Sequence, residues 1–221
     1  MPFIGRTFRA VLFDNDGTLV DSMPAAARAW VQWADEHGVP RSALEGIAGM
    51  PAAAIIAKVA PTLEPGPALA RINELELRDT AGVVALPGAI EAVEATRECC
   101  AIVTSATGEL AAARLRAAGI PTPTRLVTAD DITRGKPDPE PFLIAARLLG
   151  VDPEQCLVVE DAPSGLTAAR AAGCASLALT TSTPADGLDA DLVVASLADV
   201  VFEASPAGIR VRLVEGDAVY R

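Results

Sequence analysis

Asp14 and Asp16 stand two positions apart, directly after the apolar run Ala10-Val11-Leu12-Phe13 and directly before Gly17-Thr18. Carboxylates this close repel one another, and a shared proton or a divalent cation between them relieves the repulsion. An oxygen-rich donor set favours a hard ion such as magnesium. The run before the acids has the length and the β-branched and aromatic content of a buried parallel strand. That places both acids where the strand's carboxyl end opens to solvent, the edge at which open α/β sheets bind ligands. An isolated Asp-x-Asp is explained equally well by a strand-end turn, because Asp, Asn and Gly are all turn formers.

Three further segments carry matching chemistry. Ile102-Val103 leads into Thr104-Ser105, hydroxyls at a strand end that can donate to phosphoryl oxygen, although a helix N-cap accounts for Ser105 or Thr107 as well. Gly135-Lys136-Pro137-Asp138-Pro139 holds one ammonium in a proline-stiffened loop just ahead of the helical stretch Phe142 to Leu149. Leu157-Val158-Val159 runs into Glu160-Asp161, a second acid pair between a strand and a helix. The helix dipole explains Asp161 and explains Glu160 poorly. Together these residues supply a nucleophile, a cation site, a fixed lysine and hydroxyl donors, which is what phosphoryl transfer through a carboxylate needs. A carboxylate attacking a phosphate ester is anion approaching anion, so magnesium and the ammonium are required to lower the electrostatic cost.

Positioning these residues requires strands that end at one edge. The pattern changes after Asp21: MPAAARAWVQWADEHG, PAAAIIAKVAP and GPALARINELELRDT read as helices, with no strand between Ser22 and Val83. Strand signals resume at Cys100 to Thr104, Arg125 to Thr128, Cys156 to Val159 and Ala175 to Leu179, with helical stretches between them, the signature of βαβ units. The expected fold is α/β: a doubly wound, Rossmann-like parallel sheet made of residues 1–21 and 84–221, with a small α-helical cap, residues 22–83, inserted after the first strand. The two hinges of the cap then lie close together. Ile209 to Leu213 and Ala218 to Tyr220 flank Glu215-Gly216-Asp217 and suggest a terminal hairpin. Asp21 is expected as an N-cap at the hinge, Trp30 and Trp33 as cap core, and His37, before Gly38, as a partner for the last carbonyls of its helix.

The chain has 221 residues, enough for one α/β core with a modest insertion, and 51% hydrophobic residues provide for a real core. A formal charge of −11 opposes nucleic acid and anionic membrane surfaces, so any phosphate site must be positive only locally. Cys99, Cys100, Cys156 and Cys174 lack metal-ligand spacing and are expected as buried free thiols. With no charged leader entering an apolar stretch and no run of about 18 apolar residues, a cytoplasmic protein is expected, a monomer or weak homodimer.

The four segments DNDGTLVDS, VTSAT, GKPDPEPF and VVEDAPSG resemble the four motifs of the haloacid dehalogenase-like phosphohydrolases, and the match spans most of the chain. The resemblance implies a small-molecule phosphate ester as substrate and magnesium as cofactor. It implies Asp14 as the nucleophile that becomes an aspartyl-phosphate, and Asp16 as the general acid that protonates the leaving oxygen and then activates water. Asp16 would also ligate magnesium through its backbone carbonyl. Ser105, and secondarily Thr104, would hold a phosphoryl oxygen, and Lys136 would bridge nucleophile and phosphate. Asp161, with Glu160 in support, would complete the metal site with Asp14. The segment up to Pro87 resembles the family's first-type cap, which closes over small substrates. TADDITRGKPDPEPFL and VVEDAPSGLTAARAAGC look most like small sugar- and polyol-phosphate phosphatases. Those relatives often carry a polar or basic residue after a His-Gly in the cap, where this chain has Ile47-Ala48-Gly49-Met50-Pro51. A phosphosugar mutase resembling β-phosphoglucomutase is the alternative; it needs a basic cap residue, for which Arg41 and Lys58 are the nearby candidates. Asp16 argues against a dehalogenase, and the presence of Asp14, Asp16, Lys136 and Asp161 argues against a non-catalytic scaffold.

Overall fold

The computed structural model describes residues 5–47, 50–122 and 124–214. A short strand β1 (Thr7–Phe8) leads into β2 (Ala10–Phe13), and β3 (Val20–Asp21) follows the acidic turn. Helices α1 (Met23–His37), α2 (Ala52–Val59) and α3 (Pro65–Arg78) come next, and β4 (Val84–Ala85) closes this insert. The chain then alternates: α4 (Ala89–Thr96), β5 (Cys100–Val103), α5 (Gly108–Ala117), β6 (Leu126–Val127), α6 (Glu140–Leu149), β7 (Cys156–Glu160), α7 (Pro163–Ala172), β8 (Ala175–Leu179) and β9 (Leu192–Val194). Strands β10 (Val200–Ser205) and β11 (Gly208–Leu213) end the described chain.

Six of these strands form one parallel sheet in the order β6-β5-β2-β7-β8-β9. The order jumps outward from β2 in both directions, so β2 is central, and each of its residues is fully buried. Alternation along the strands sorts side chains to two faces. Val11, Phe13, Ile102, Leu157 and Val159 pack with Ala89 and Val93 of α4 and with Phe202 and Val211 of the terminal hairpin. Ala10, Leu12, Ala101, Val103 and Val158 pack with Phe142 and Ala145 of α6 and with Ala168 and Ala169 of α7. Burial on both faces is why these strands read as continuous apolar runs.

The insert has its own apolar cluster: Trp30 and Trp33 from α1, Ile55 and Ile56 from α2, Ile72 and Leu75 from α3. Trp33 is fully buried, and its indole N–H donates to the Ala68 carbonyl at 3.0 Å. His37 lies 2.8 Å from the Trp33 carbonyl and stacks on the Trp33 ring. The chain enters and leaves the insert side by side, because Val20 pairs with Ala85 and Asp21 with Val84, antiparallel. Asp21 therefore belongs to the hinge strand rather than to an N-cap. Ser22 holds the cap position of α1, and its hydroxyl is turned to the acidic turn instead of the helix.

The expected hairpin across Glu215-Gly216-Asp217 lies outside the described residues. Within them, β11 pairs backward with β10, from Val200 opposite Leu213 to Ser205 opposite Gly208, and on its other edge with β1. Cys100, Cys156 and Cys174 are buried and Cys99 half-buried, all as free thiols. No helix among the described residues is long and apolar enough to cross a membrane.

Candidate active site

The site begins where β2 leaves the sheet. The Asp14 N–H still donates to the Val159 carbonyl at 2.9 Å, so the backbone carrying this carboxylate is tied to the neighbouring strand. The Asn15 carbonyl then accepts from the N–H groups of Leu19 at 2.8 Å and Val20 at 2.9 Å, which folds the chain back on itself. Gly17, at the turn, has φ of 89°, and a Cβ there would overlap the Asp161 carboxylate. Only glycine suits both the left-handed backbone and the close approach.

Lys136 reaches this point from the loop before α6. Its ammonium donates to Asp14 Oδ1 at 2.6 Å, to Glu160 Oε1 at 2.6 Å and to the Val103 carbonyl at 3.0 Å, with its side chain 5% exposed. Glu160 Oε2 accepts from the N–H groups of Asp161 at 3.0 Å and Ala162 at 3.1 Å, so both Glu160 oxygens are engaged, one by the lysine and one by the backbone entering α7. The Asp161 carboxylate accepts from the Thr18 hydroxyl at 3.3 Å and also bonds Ser182. Carboxylate oxygens of Asp14, Glu160 and Asp161 all lie within 4.8 Å of one another.

Three buried carboxylates face one ammonium, a net charge of −2 in the ionised state. Burial pushes the Asp14 carboxyl well above its ordinary range against the pull of Lys136, and Glu160 and Asp161 add to the push. Burial, then Glu160, raises Asp161 to about 6. Burial works against the Lys136 ammonium, but Asp14 and Glu160 outweigh it and hold it above the usual lysine range. Excess negative charge in an oxygen-only donor set fits a hard divalent cation, which would cancel the repulsion and keep Asp14 and Asp161 ionised. Asp14, Glu160 and Asp161 form the acidic group that could hold it, with Glu160 also bonded to Lys136 and to the backbone entering α7.

Asp16 faces elsewhere. Its Oδ1 accepts from the Ser22 hydroxyl at 2.6 Å and from Arg114 Nη1 at 2.9 Å; its Oδ2 faces Asn15 Nδ2 at 3.2 Å and the Thr104 hydroxyl at 3.5 Å. The Thr104 hydroxyl also accepts from the Ala106 N–H at 3.1 Å. Ser105 and Thr107 both line the cavity above, and Thr107 also caps α5 by accepting from the Leu110 N–H. Sequence reasoning missed Arg114, Glu76 and Asn73. Arg114 and Arg116 sit in the same alanine-rich helix, and nothing local separates the buried one from its neighbour.

Above Asp14 and Asp16 lies a cavity of about 560 Å³. Its floor includes Ser105, Lys136 and Asp161, and the insert supplies an apolar wall from Trp30, Ile47, Met50, Ile55 and Leu69. Hydroxyl, amide and acid groups reach that wall only from Ser22, Asn73 and Glu76 among the described residues. Arg41 is bound to Asp35 at the surface, at 2.6 and 3.0 Å, and neither it nor Lys58 lines the cavity.

Comparison with known proteins agrees with this geometry. Hexitol phosphatase A of Escherichia coli (strain K12) is 40% identical over 210 residues, covering 90% of this chain and 96% of that protein. Validoxylamine A 7'-phosphate phosphatase of Streptomyces hygroscopicus subsp. limoneus is 34% identical over 208 residues, covering 87% and 96%. The crystal structure of a hydrolase from Pseudomonas syringae superposes with a TM-score of 0.76 at 27% identity, covering 86% of this chain and 95% of that one. With a match to the haloacid dehalogenase-like hydrolase description over residues 8–173, the chain belongs to that family.

Proposed function

We propose that this protein is a magnesium-dependent phosphatase of small phosphate monoesters, sugar or polyol phosphates, acting through an aspartyl-phosphate on Asp14. The observation that carries the reading is the buried Asp14 carboxylate, gripped by Lys136 at 2.6 Å beside Asp161, on the floor of a cavity of metabolite size. The names of the two curated relatives, both phosphatases of small phosphorylated compounds, support it.

In this reading Asp14 attacks phosphorus while Asp16 gives a proton to the departing oxygen, and phosphate is then released as Asp16 takes a proton from the attacking water. Lys136 offsets the charge of nucleophile and phosphoryl group, and the Ser105 hydroxyl, with Thr104 beside it, donates to a phosphoryl oxygen. A magnesium ion held by Asp14, Asp161 and the Asp16 carbonyl would supply charge neutralisation for two anions in contact. Residues 22–83 act as a cap whose apolar wall keeps bulk water from the intermediate. The mutase alternative is less supported, since Arg41 and Lys58 stay out of the cavity. Phosphate release from a panel of hexose, hexitol and glycerol phosphates, with and without magnesium, is the test. Asp14→Asn should drop below roughly one-thousandth of the native rate; persistence of native turnover in that variant would end the proposal.

A further inference from the structure

Arg114 is 6% exposed, and the terminal nitrogens of its guanidinium each face a different acid: Nη1 lies 2.9 Å from Asp16 Oδ1, and Nη2 lies 3.2 Å from Glu76 Oε1. Glu76 is on α3 of the insert, 9% exposed, and burial raises its carboxyl above the ordinary range against the pull of Arg114. Apolar residues of similar volume often serve stability as well as a buried ionic chain of this kind. Its place against Asp16, 2.9 Å away, therefore points to a role in the chemistry. A guanidinium is a rigid planar fork, so it transmits orientation where a lysine would supply only charge.

We infer that Arg114 is a positioning residue for Asp16, and that Glu76 holds Arg114 in place, so that Asp16 is aimed only when α3 is seated. The inference rests on the phosphatase reading above. Asp16 is held at both oxygens, by Ser22 and Arg114 on one and by Asn15 and Thr104 on the other. Arg114 is not a reader of substrate anions, because two carboxylates already outweigh its single charge. In the first half-reaction the bond from Asp14 oxygen to phosphorus forms and the bond from phosphorus to the leaving oxygen breaks. The electron pair goes to the leaving oxygen, which takes the proton of Asp16. An alcohol leaves only with that proton, whereas p-nitrophenolate leaves without it. Misaiming Asp16 therefore penalises alkyl esters selectively in this half-reaction, which kcat/KM reports, whereas its role as base in phosphate release is common to both esters.

The test is the steady-state kinetics of Arg114→Met and of the double variant Glu76→Met/Arg114→Met, at saturating magnesium. The substrates are the fastest alkyl ester of the panel above and p-nitrophenyl phosphate. General acids contribute about 10²–10⁴-fold, and misplacement of about 1 Å costs about 10²-fold. The alkyl-ester kcat/KM should fall about 100-fold, at least tenfold more than the p-nitrophenyl phosphate kcat/KM. The double variant leaves no unpaired buried acid at Glu76 and should show the same skew even if Arg114→Met does not fold. Equal losses of kcat/KM on both esters, or no loss on either, would overturn the inference while leaving the phosphatase reading intact. A native enzyme that hydrolyses neither ester would overturn both.

Discussion

Replacing Asp161 by asparagine tests the electrostatics of the floor directly. Asp161 is buried among Asp14, Glu160 and Lys136, and burial with the Glu160 charge raises its carboxyl to about 6. Unfolded, the same group titrates near about 3.9. A raised folded value means that ionisation is harder in the native state, so the cost is absent below pH of about 4 and is complete once pH has risen past about 6. At about 1.4 kcal/mol per tenfold change in proton affinity, the metal-free native state bears roughly 3 kcal/mol at pH 8 and about half of that at pH 5. The asparagine side chain would carry no such charge but would lose part of the bonding to Thr18 and Ser182. In chelator at pH 8, Asp161→Asn should therefore melt above the native protein, by up to about 6–12 °C for a chain of this size, and the gap should narrow at pH 5. On the proposed reading magnesium should reverse the order, because an ion held on the native floor would stabilise by mass action while the variant would have lost a ligand. Thermal melts at both pH values, with chelator and with magnesium, read this out. A variant that melts below the native protein in chelator at pH 8, or that keeps the full magnesium response, would refute the reasoning.

Gly17→Ala should lower stability by roughly 1–3 kcal/mol and blunt the magnesium-dependent rise in Tm, because the new Cβ strains a φ of 89° and displaces the Asp161 carboxylate; an unchanged melt in both buffers would contradict this. Trp33→Ala removes the largest fully buried side chain, whose indole also bonds Ala68, and should cost about 3–5 kcal/mol in denaturant titrations. A loss under about 1 kcal/mol would show that the insert does not depend on that packing.

Much of the core was legible because it is written in local spacing. Runs such as Ala10–Phe13 and residues 156–159 are buried on both faces, so they are apolar throughout and stand out without knowledge of their partners. The insert's helices were equally plain from their period. Short strands were harder: Val20–Asp21 and Val84–Ala85 are two residues each and exist only because they meet. Leu192–Val194 and Val200–Ser205 were not legible, and the latter is defined by its pairing with Gly208–Leu213.

Residue type and position marked Asp14, Asp16, Thr104, Ser105, Glu160 and Asp161 near strand ends, and Lys136 in its proline-flanked loop, as candidates without any structure. What each side chain faces was not legible. Glu160 has the charge of a metal ligand, yet its oxygens go to Lys136 and to two backbone N–H groups. Arg114 bonds Asp16 across 98 positions and Glu76 across 38, and no pattern within its own helix distinguishes it from a solvent arginine. A strand's burial and a carboxylate's place at its end follow from neighbours a few residues away, which the chain carries with it. The direction a charged side chain takes depends on which distant groups the fold brings within about 3 Å, and only the assembled sheet and insert decide that.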